Sequence, residues 1–299
     1  MEPVARPQGH NHAPNGYPWI NPVGGFGDML MFSGVLKLAH DRHPERKYNL
    51  IRRSNYLTFL KGHPAIEVIG WPEKGVPLAR TDYWSMEELG PGPQRPFQIL
   101  ARGYGVETPV EERLYVPGEI PDDPLLWDSL PSKDVNILIA PSSDSPRKAT
   151  SPHIWHRTVE LLKREGMFAV QAGRMHDVHI RPAWSLLGLT TPWQLLSLVK
   201  RCSAVVTSDN FIMHAAHLTG TPAVTVWGAT HHEVYGYPEQ IWLQMPKACG
   251  MGPYEDCIGP ARNDGGRLYG TPCPHGEKHC VDHVRPEDIL DAVQRALLG

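Results

Sequence analysis

The chain has 299 residues, of which 41% are hydrophobic and 20% are charged, and its formal net charge is -3 at pH 7. This length is typical of two domains, and the apolar fraction excludes a disordered chain. The low net charge and the absence of a basic run disfavour a nucleic-acid partner. No stretch approaches the roughly 20 apolar residues that span a bilayer, and the N-terminus lacks a signal-peptide core, so we expect a soluble cytoplasmic protein without a transmembrane segment.

The first half of the chain alternates short strand patterns with one clear helical pattern. Apolar residues recur at helical spacing from Met29 to Ala39. Strands are predicted near residues 19–20, at 48–51 and at 66–69. Several prolines lie between Val116 and Ser132, as is typical of an interdomain connection, so we predict a first domain at residues 1–130 and a second at 131–299.

A glycine-rich turn, Gly24-Gly25-Phe26-Gly27-Asp28, runs directly into the first predicted helix. The N–H groups at a helix N-terminus can bind an anion or the hydroxyls of a substrate. Aspartate is also a preferred residue at helix N-termini. Asp28 therefore has two interpretations, a functional acid and a helix cap.

The second half of the chain predicts a parallel sheet. Residues 135–140 form an almost wholly apolar run, as expected for a strand covered on both faces. Further strands are predicted at 168–171, 204–207 and 223–227, and helices are predicted around 155–162, 195–202 and 212–218 and after Pro286. This order predicts right-handed crossovers in an α/β fold, whose ligands bind beyond the carboxyl ends of the strands.

The loop that follows the first strand of this sheet gathers hydroxyl groups and two cations. Its polar residues are Ser142, Ser143, Arg147 and Lys148. Such a loop suits a diphosphate, because charged donors and backbone amides both bind phosphate oxygens. The alternative is a basic loop exposed to solvent, which is the usual place for an isolated Arg-Lys pair.

A second polar segment follows the strand at 204–207. Ser208 or Asp209 is predicted to cap the next helix, and Asn210 follows them. The helix amides and His214 would then face a bound phosphate or ribose. The alternative for His214 is a buried structural histidine.

Residues 208–222 and Trp227-Gly228-Ala229-Thr230 resemble the signature of glycosyltransferase family 9, the group that contains the lipopolysaccharide heptosyltransferases. Gly27-Asp28-Met29-Leu30 resembles the Gly-Asp turn of that family. The resemblance implies a GT-B fold, in which two Rossmann-like domains face each other across a cleft, and it implies no catalytic metal. It places Asp28 as the base and Gly25, Phe26 and Gly27 in the acceptor-side loop. Arg147 and Lys148 match its donor loop, and Asp177 matches an acid near the nucleoside of the donor.

The activity implied by this resemblance is an inverting transfer of a sugar from a nucleotide-diphosphate donor to a hydroxyl of a saccharide-like acceptor. Asp28 would remove the acceptor proton, while the basic loop and the helix terminus near Asp209 would stabilise the departing diphosphate. Asn210-Phe211-Ile212 replaces the Thr-Gly-Pro of the family and removes its glycine. Two alternatives follow, an inactive nucleotide-sugar-binding protein and a sugar-nucleotide epimerase on the same fold.

Four cysteines, Cys249, Cys257, Cys273 and Cys280, crowd the last fifth of the chain. Four thiolates could hold a structural Zn or Fe ion tetrahedrally. Their separations of eight, sixteen and seven residues are wider than the close pairs of typical zinc sites. Disulfides and unmodified thiols are the alternatives.

Overall fold

A computed structural model of the chain describes residues 16–52, 55–83, 94–131, 135–246, 273 and 280–299. The chain divides into two compact units, the first made of residues 1–90 and 96–119 and the second of residues 91–95 and 120–299. Across these described ranges, no helix combines the length and the apolar character needed to cross a bilayer.

The first unit is a four-stranded parallel sheet with helices packed on it. Its elements are β1 (Trp19–Asn21), α1 (Phe26–Arg42), β2 (Tyr48–Ile51), a 3-10 helix (Asn55–Leu60), β3 (Ile66–Gly70), β4 (Leu78–Arg80) and α2 (Pro96–Gly103). The strand order is β3-β2-β1-β4. Ten residues of α1 are buried, so this helix is enclosed by the core of the unit rather than lying on its surface.

The second unit is built around a six-stranded parallel sheet. Its first elements are α3 (Pro124–Asp128), β5 (Asn136–Ala140), α4 (Pro152–Arg164), β6 (Phe168–Gln171), β7 (Trp184–Ser185) and α5 (Pro192–Arg201). They are followed by β8 (Ala204–Ser208), α6 (Phe211–Thr219), β9 (Ala223–Trp227), α7 (His232–Tyr235), β10 (Ile241–Gln244), a 3-10 helix (Cys280–His283) and α8 (Pro286–Leu298). The strand order is β10-β9-β8-β5-β6-β7. Strands β5, β8 and β9 are buried along their whole length, which explains their apolar sequences.

Each sheet has one point where the order of its strands reverses. In the first sheet the chain runs from β1 outward to β2 and β3 and then returns to place β4 on the other side of β1. In the second it runs from β5 through β6 to β7 and returns to place β8 on the other side of β5. Ligands of open α/β sheets bind at the carboxyl ends of the strands beside such a switch point.

The C-terminal segment is fixed against the second sheet. The carboxylate of Asp282 accepts hydrogen bonds from the backbone N–H and the hydroxyl of Ser151, both at 2.6 Å, and so holds the residue that precedes α4. A Cβ on Gly228 would lie 2.5 Å from Cγ1 of Val281, which explains the glycine after β9. Helix α8 packs its apolar face into the core of the second unit, as its pattern predicts.

The regular elements predicted from apolar patterns are confirmed. Strands are present at each predicted position, and the helices at 152–164, 211–219 and 286–298 contain the predicted apolar faces. The helix at 192–201 ends one residue before Cys202, the last residue of the face predicted at 195–202. The patterns missed the strands β4, β7 and β10, the helices α2, α3 and α7, and both 3-10 helices. The first two of these strands have only three and two residues, and every residue of β10 is partly exposed at the sheet edge, so none of the three carries a long apolar run.

The chain passes from the first unit to the second between Glu119 and Ile120, inside the proline-rich segment and upstream of the boundary predicted after residue 130. Helix α3 lies in the second unit because Asp123 links it to α5. The backbone N–H of Asp123 donates to the hydroxyl of Ser197 at 3.3 Å, and its carboxylate accepts from Nε2 of Gln194 at 2.8 Å.

Candidate functional site

Asn210 organises the switch point of the second sheet. Its Oδ1 accepts from the backbone N–H of Ile212 at 2.8 Å and from the hydroxyl of Thr207 at 2.9 Å. Its Nδ2 donates to the carbonyls of Ala140 at 2.9 Å and Ser142 at 2.8 Å. The prediction that Ser208 or Asp209 caps α6 is wrong, because Asn210 is the residue directly before the helix and its side chain reaches the second helical N–H.

Lys148 and Asp209 form an ion pair at this edge of the sheet. The Lys148 Nζ lies 2.9 Å from Oδ2 of Asp209, and the side chains are only 15% and 8% exposed. The hydroxyl of Thr230, from the loop after β9, donates to the same carboxylate oxygen at 2.5 Å. The loops after β5, β8 and β9 therefore meet at one carboxylate.

The serines predicted to bind a donor tie these loops together. The hydroxyl of Ser143 donates to the carbonyl of Asp209 at 3.0 Å, and that of Ser208 donates to the carbonyl of Pro141 at 2.9 Å. Arg147 is 9% exposed. The alternative of a basic loop exposed to solvent is therefore wrong for Arg147 and Lys148, since the loop is folded against the end of β8.

Asp177 lies in the turn after β6, at the same edge of the sheet. Its Oδ2 accepts from the backbone N–H of Arg174 at 2.8 Å, and its Oδ1 lies 3.2 Å from Nε of Arg174. The Arg174 guanidinium also pairs with Asp144 of the β5 loop at 2.8 Å. Arg174 was not predicted from the sequence, although it follows the β6 strand as directly as the predicted residues follow theirs.

His214 lies in the first turns of α6 and is 8% exposed. Its Nδ1 lies 2.6 Å from the hydroxyl oxygen of Tyr237. Burial lowers the pKa of His214 to about 4, because it disfavours the charged imidazolium, while Asp209 opposes that shift. The histidine is therefore buried and neutral at pH 7, and its contact with a nucleotide stays a prediction.

Asp28 occupies the switch point of the first sheet. It is the third residue of α1, and its Oδ2 accepts from the backbone N–H of Gly25 at 2.8 Å. Gly24 has a φ of +114°, and a Cβ there would lie 2.5 Å from the same oxygen. The capping interpretation of Asp28 is confirmed. Its role as a base stays a prediction, and its side chain is partly exposed at the carboxyl edge of the sheet.

Aromatic side chains surround the turn that carries Asp28. The ring of Phe26 packs edge-on against Tyr56 with centroids 4.7 Å apart and against Phe59 at 5.7 Å. Tyr56 is 39% exposed. Gly25 and Phe26 are partly exposed and Gly27 is buried. Tyr56 was not predicted from the sequence because it lies in a 3-10 helix without a clear apolar period.

Two of the four C-terminal cysteines lie among the residues that the structure describes. Cys249 and Cys257 lie outside the described residues, Cys273 is partly buried, and Cys280 begins the 3-10 helix beside Gly228. Among the residues that the structure does describe, no group of three or more His, Cys, Asp or Glu side chains is arranged to hold a metal ion. The structural metal therefore stays a prediction.

No protein-family model and no curated protein sequence matches the chain. Solved structures do match it. A glycosyltransferase family 9 structure from Veillonella parvula is 14% identical, covers 94% of this chain and 97% of its own, and has a TM-score of 0.65. The Escherichia coli ADP-heptose lipopolysaccharide heptosyltransferase II is 15% identical, with coverages of 94% and 98% and a TM-score of 0.65.

A third match is the dodecameric iron-containing heptosyltransferase TibC of enterotoxigenic E. coli, solved in complex with ADP-D-β-D-heptose. It is 14% identical, covers 94% of this chain and 76% of its own, and has a TM-score of 0.67. The protein described here thus has the fold of glycosyltransferase family 9 and of the heptosyltransferases, an α/β fold of the GT-B type with two Rossmann-like units.

Proposed function

We propose that the protein transfers a sugar from a nucleotide-diphosphate donor to a hydroxyl acceptor. The observation that carries this proposal is the ion pair of Lys148 and Asp209 beside the N-terminus of α6, at the switch point of the second sheet. A cation and the positive end of a helix dipole together favour a diphosphate at that position. A solved structure with this fold holds ADP-D-β-D-heptose, which supports a donor of this class.

In this proposal the donor site consists of the residues that the β5, β6 and β8 loops bring to one edge. Lys148 and Arg147 bind the diphosphate, and Asn210, Ser143 and Ser208 fix the backbone around it. The remaining contributors are Ser142, Asp177, Asp209 and His214. Asp209 has a particular role, because it holds the Lys148 ammonium in one place before the donor arrives.

The proposed chemistry is a single displacement with inversion at the anomeric carbon. Asp28 takes the proton of the acceptor hydroxyl while that oxygen forms the new bond to the sugar. The bond to the nucleotide diphosphate breaks at the same time, and the negative charge on the leaving diphosphate is stabilised by Lys148, Arg147 and the α6 N-terminus. No catalytic metal is part of this proposal.

Donor binding is tested by thermal-shift measurements with ADP, UDP, GDP and their sugar conjugates. A nucleotide that binds the native second unit at 100 times its Kd should add about 2.7 kcal/mol to the free energy of unfolding. We expect one nucleotide series to raise the Tm and Lys148→Ala to abolish that rise. If no nucleotide diphosphate raises the Tm of the wild-type protein, the donor site is wrong.

The role of Asp28 needs a separate test. Asp28→Asn keeps an oxygen that can accept from the Gly25 N–H, so the fold of the turn should persist. We expect kcat to fall by roughly 10²–10⁴-fold, as for loss of a general base, with an unchanged Kd for the nucleotide. Unchanged turnover would exclude Asp28 as the base.

Two outcomes would favour the alternatives. A wild-type protein that binds a sugar nucleotide but transfers nothing to an added saccharide panel is a binding protein, as the replacement of the family's glycine by Phe211 suggests. Conversion of the sugar nucleotide without any acceptor, detected by product analysis, would indicate an epimerase.

A further inference from the structure

Tyr237 is held rigidly beside α6. The residue is 1% exposed, and its carbonyl accepts from the backbone N–H of Gln240 at 3.1 Å and from Nε1 of Trp242 at 3.0 Å. The Arg95 guanidinium donates to the neighbouring carbonyl of Gly236 at 2.5 Å. The backbone on both sides of the tyrosine is therefore fixed by side chains from other segments.

The ring of Tyr237 is fixed as firmly as its backbone. The imidazole of His217 stacks on it, with centroids 3.8 Å apart and planes within 7° of parallel. His217 is in turn held by Glu239, whose Oε1 lies 2.6 Å from its Nδ1. The hydroxyl of Tyr237 points at Nδ1 of His214, 2.6 Å away. A buried, immobilised phenol thus forms a hydrogen bond with one of the two nitrogens of the His214 imidazole.

His214 stands where it can reach a ligand at the α6 N-terminus. It follows the capping residue Asn210 by four positions, and helical side chains lean toward the N-terminus of their helix. Asp209 and Lys148, the ion pair of the candidate donor site, both act electrostatically on the His214 imidazole. The histidine therefore belongs to the same small region as the residues proposed to bind the diphosphate.

We infer that Tyr237 is a positioning residue of the proposed nucleotide site: its hydroxyl donates to Nδ1 of His214, so that the imidazole carries its proton on Nε2 and donates it to a phosphate oxygen. This inference rests on the proposed function. The opposite tautomer would present a lone pair to the anion and repel it. Burial keeps the imidazole neutral at pH 7, so the position of its single proton decides whether it attracts a phosphate.

A double-mutant cycle tests whether Tyr237 acts through His214. The probe is whichever of ADP, UDP and GDP binds the wild-type protein most tightly, and its Kd is measured by calorimetry. We expect Tyr237→Phe to raise Kd by about 5–20-fold, because a neutral hydrogen-bond network loses its preorganised donor. In a His214→Ala background the same substitution should change Kd by less than about twofold.

A spectroscopic readout follows the tautomer directly. In ¹⁵N-labelled protein, the imidazole that disappears in His214→Ala should show its proton on Nε2 in the wild type and a mixture of both tautomers in Tyr237→Phe. Tyr104→Phe is the matched control, because it removes the hydroxyl of a buried tyrosine in the first unit. It should leave both the His214 tautomer and the nucleotide Kd unchanged.

The outcomes separate the inference from the function on which it rests. If none of the three nucleotides binds the wild-type protein, the proposed function fails and the phosphate contact of His214 fails with it. If a nucleotide binds but Tyr237→Phe weakens it equally with and without His214, Tyr237 has only a structural role. A proton on Nδ1 of His214 in the wild type would overturn the inference even where binding is intact.

Discussion

The two sheets of this protein end in different kinds of surface at their switch points. In the second unit the polar side chains already bind one another: Asn210 braces the β5 loop, and Lys148 and Thr230 share the Asp209 carboxylate. In the first unit the Asp28 carboxylate caps its own helix, and the ring of Phe26 in the same turn packs against the exposed Tyr56. The same position in two parallel sheets therefore carries a charged network in one and a helix cap beside aromatic rings in the other.

This difference predicts which substitutions should change both nucleotide binding and the stability of the fold. A buried ion pair fixes its charges before a ligand arrives, so it serves binding and also becomes a source of instability when one partner is removed. In the first unit, the aromatic rings and the capping Asp28 create no such link between stability and binding outside the glycine turn itself. Substitutions at the carboxyl edge of the second sheet should change stability and nucleotide affinity together.

Removal of the Lys148 cation should give the largest effect. Lys148→Met leaves the buried Asp209 carboxylate without its cation, which costs about 3–5 kcal/mol when one partner of a buried pair is deleted. We expect the nucleotide Kd to rise by at least roughly 100-fold, the equivalent of about 2.8 kcal/mol. Hydrogen exchange of peptides from α6, followed by mass spectrometry, measures the stability change in the second unit alone.

Arg157→Met is the matched control for that prediction. Its ion pair with Glu160 at 3.1 Å lies on α4 of the same unit, and the two side chains are 42% and 51% exposed. Exposed ion pairs contribute about 0–1 kcal/mol, so α6 should keep its protection against exchange. Equal destabilisation by the two variants would contradict the distinction between a buried and an exposed pair.

Acid should weaken both units, through one buried histidine in each. Nε2 of His63 donates to the carbonyl of Ser33 at 3.0 Å, and its Nδ1 accepts from the N–H of Ala65 at 3.1 Å, so the neutral form is fully bonded. Burial lowers the pKa of His63 and of His214 from 6.5 to about 4. Between pH 6.5 and 4 the unfolded chain binds more protons than the folded one, so stability falls as the pH falls.

Each of these histidines should remove about 3 kcal/mol across that range, and the contribution is complete above pH 6.5. His63→Gln removes the titrating group from the first unit and leaves His214 in place. Its exchange rates between pH 7 and 5 should then change less in peptides of α1, while those of α6 keep the wild-type pH dependence. An unaltered pH dependence in α1 would show that His63 does not control the acid response of that unit.

The same comparison explains which residues the sequence could predict. Loops after buried parallel strands can be located in the sequence because the strands themselves are continuous apolar runs. The residues that follow β5 and β8 could therefore be placed at one edge of the sheet from the apolar pattern alone. Lys148 and Asp209 confirm this, since they meet although they are 61 positions apart in the sequence. The packing of Tyr56 against the Asp28 turn was not predictable, because Tyr56 comes from a 3-10 helix without a clear apolar period.

Partners within a loop could not be predicted either. Ser208, Asp209 and Asn210 are all good helix caps, and only the exact start of α6 decides among them. Tyr237 and Arg174 contact the site through side chains that reach across turns, which no local pattern encodes. The regular elements follow from periodicity, whereas the side-chain network depends on the three-dimensional positions of the loops.

The smallest predicted effect lies in the glycine turn of the first unit, where stability and catalysis should again be linked. Gly24 has a φ of +114°, and an alanine Cβ there would lie 2.5 Å from Oδ2 and 2.6 Å from Cβ of Asp28. Gly24→Ala should cost about 2 kcal/mol, from backbone strain and the displacement of Asp28. If Asp28 is the base, turnover should fall as well, with an unchanged nucleotide Kd.

Gly75→Ala separates backbone strain from the contact with Asp28. Gly75 also has a positive φ, +91°, but its Cβ would meet nothing within 4 Å. It should cost only the conformational part, about 1 kcal/mol, and leave turnover unchanged. Thermal unfolding and steady-state rates for both variants measure these terms. If Gly24→Ala resembles Gly75→Ala in both, the position of the Asp28 carboxylate does not depend on the glycine beside it.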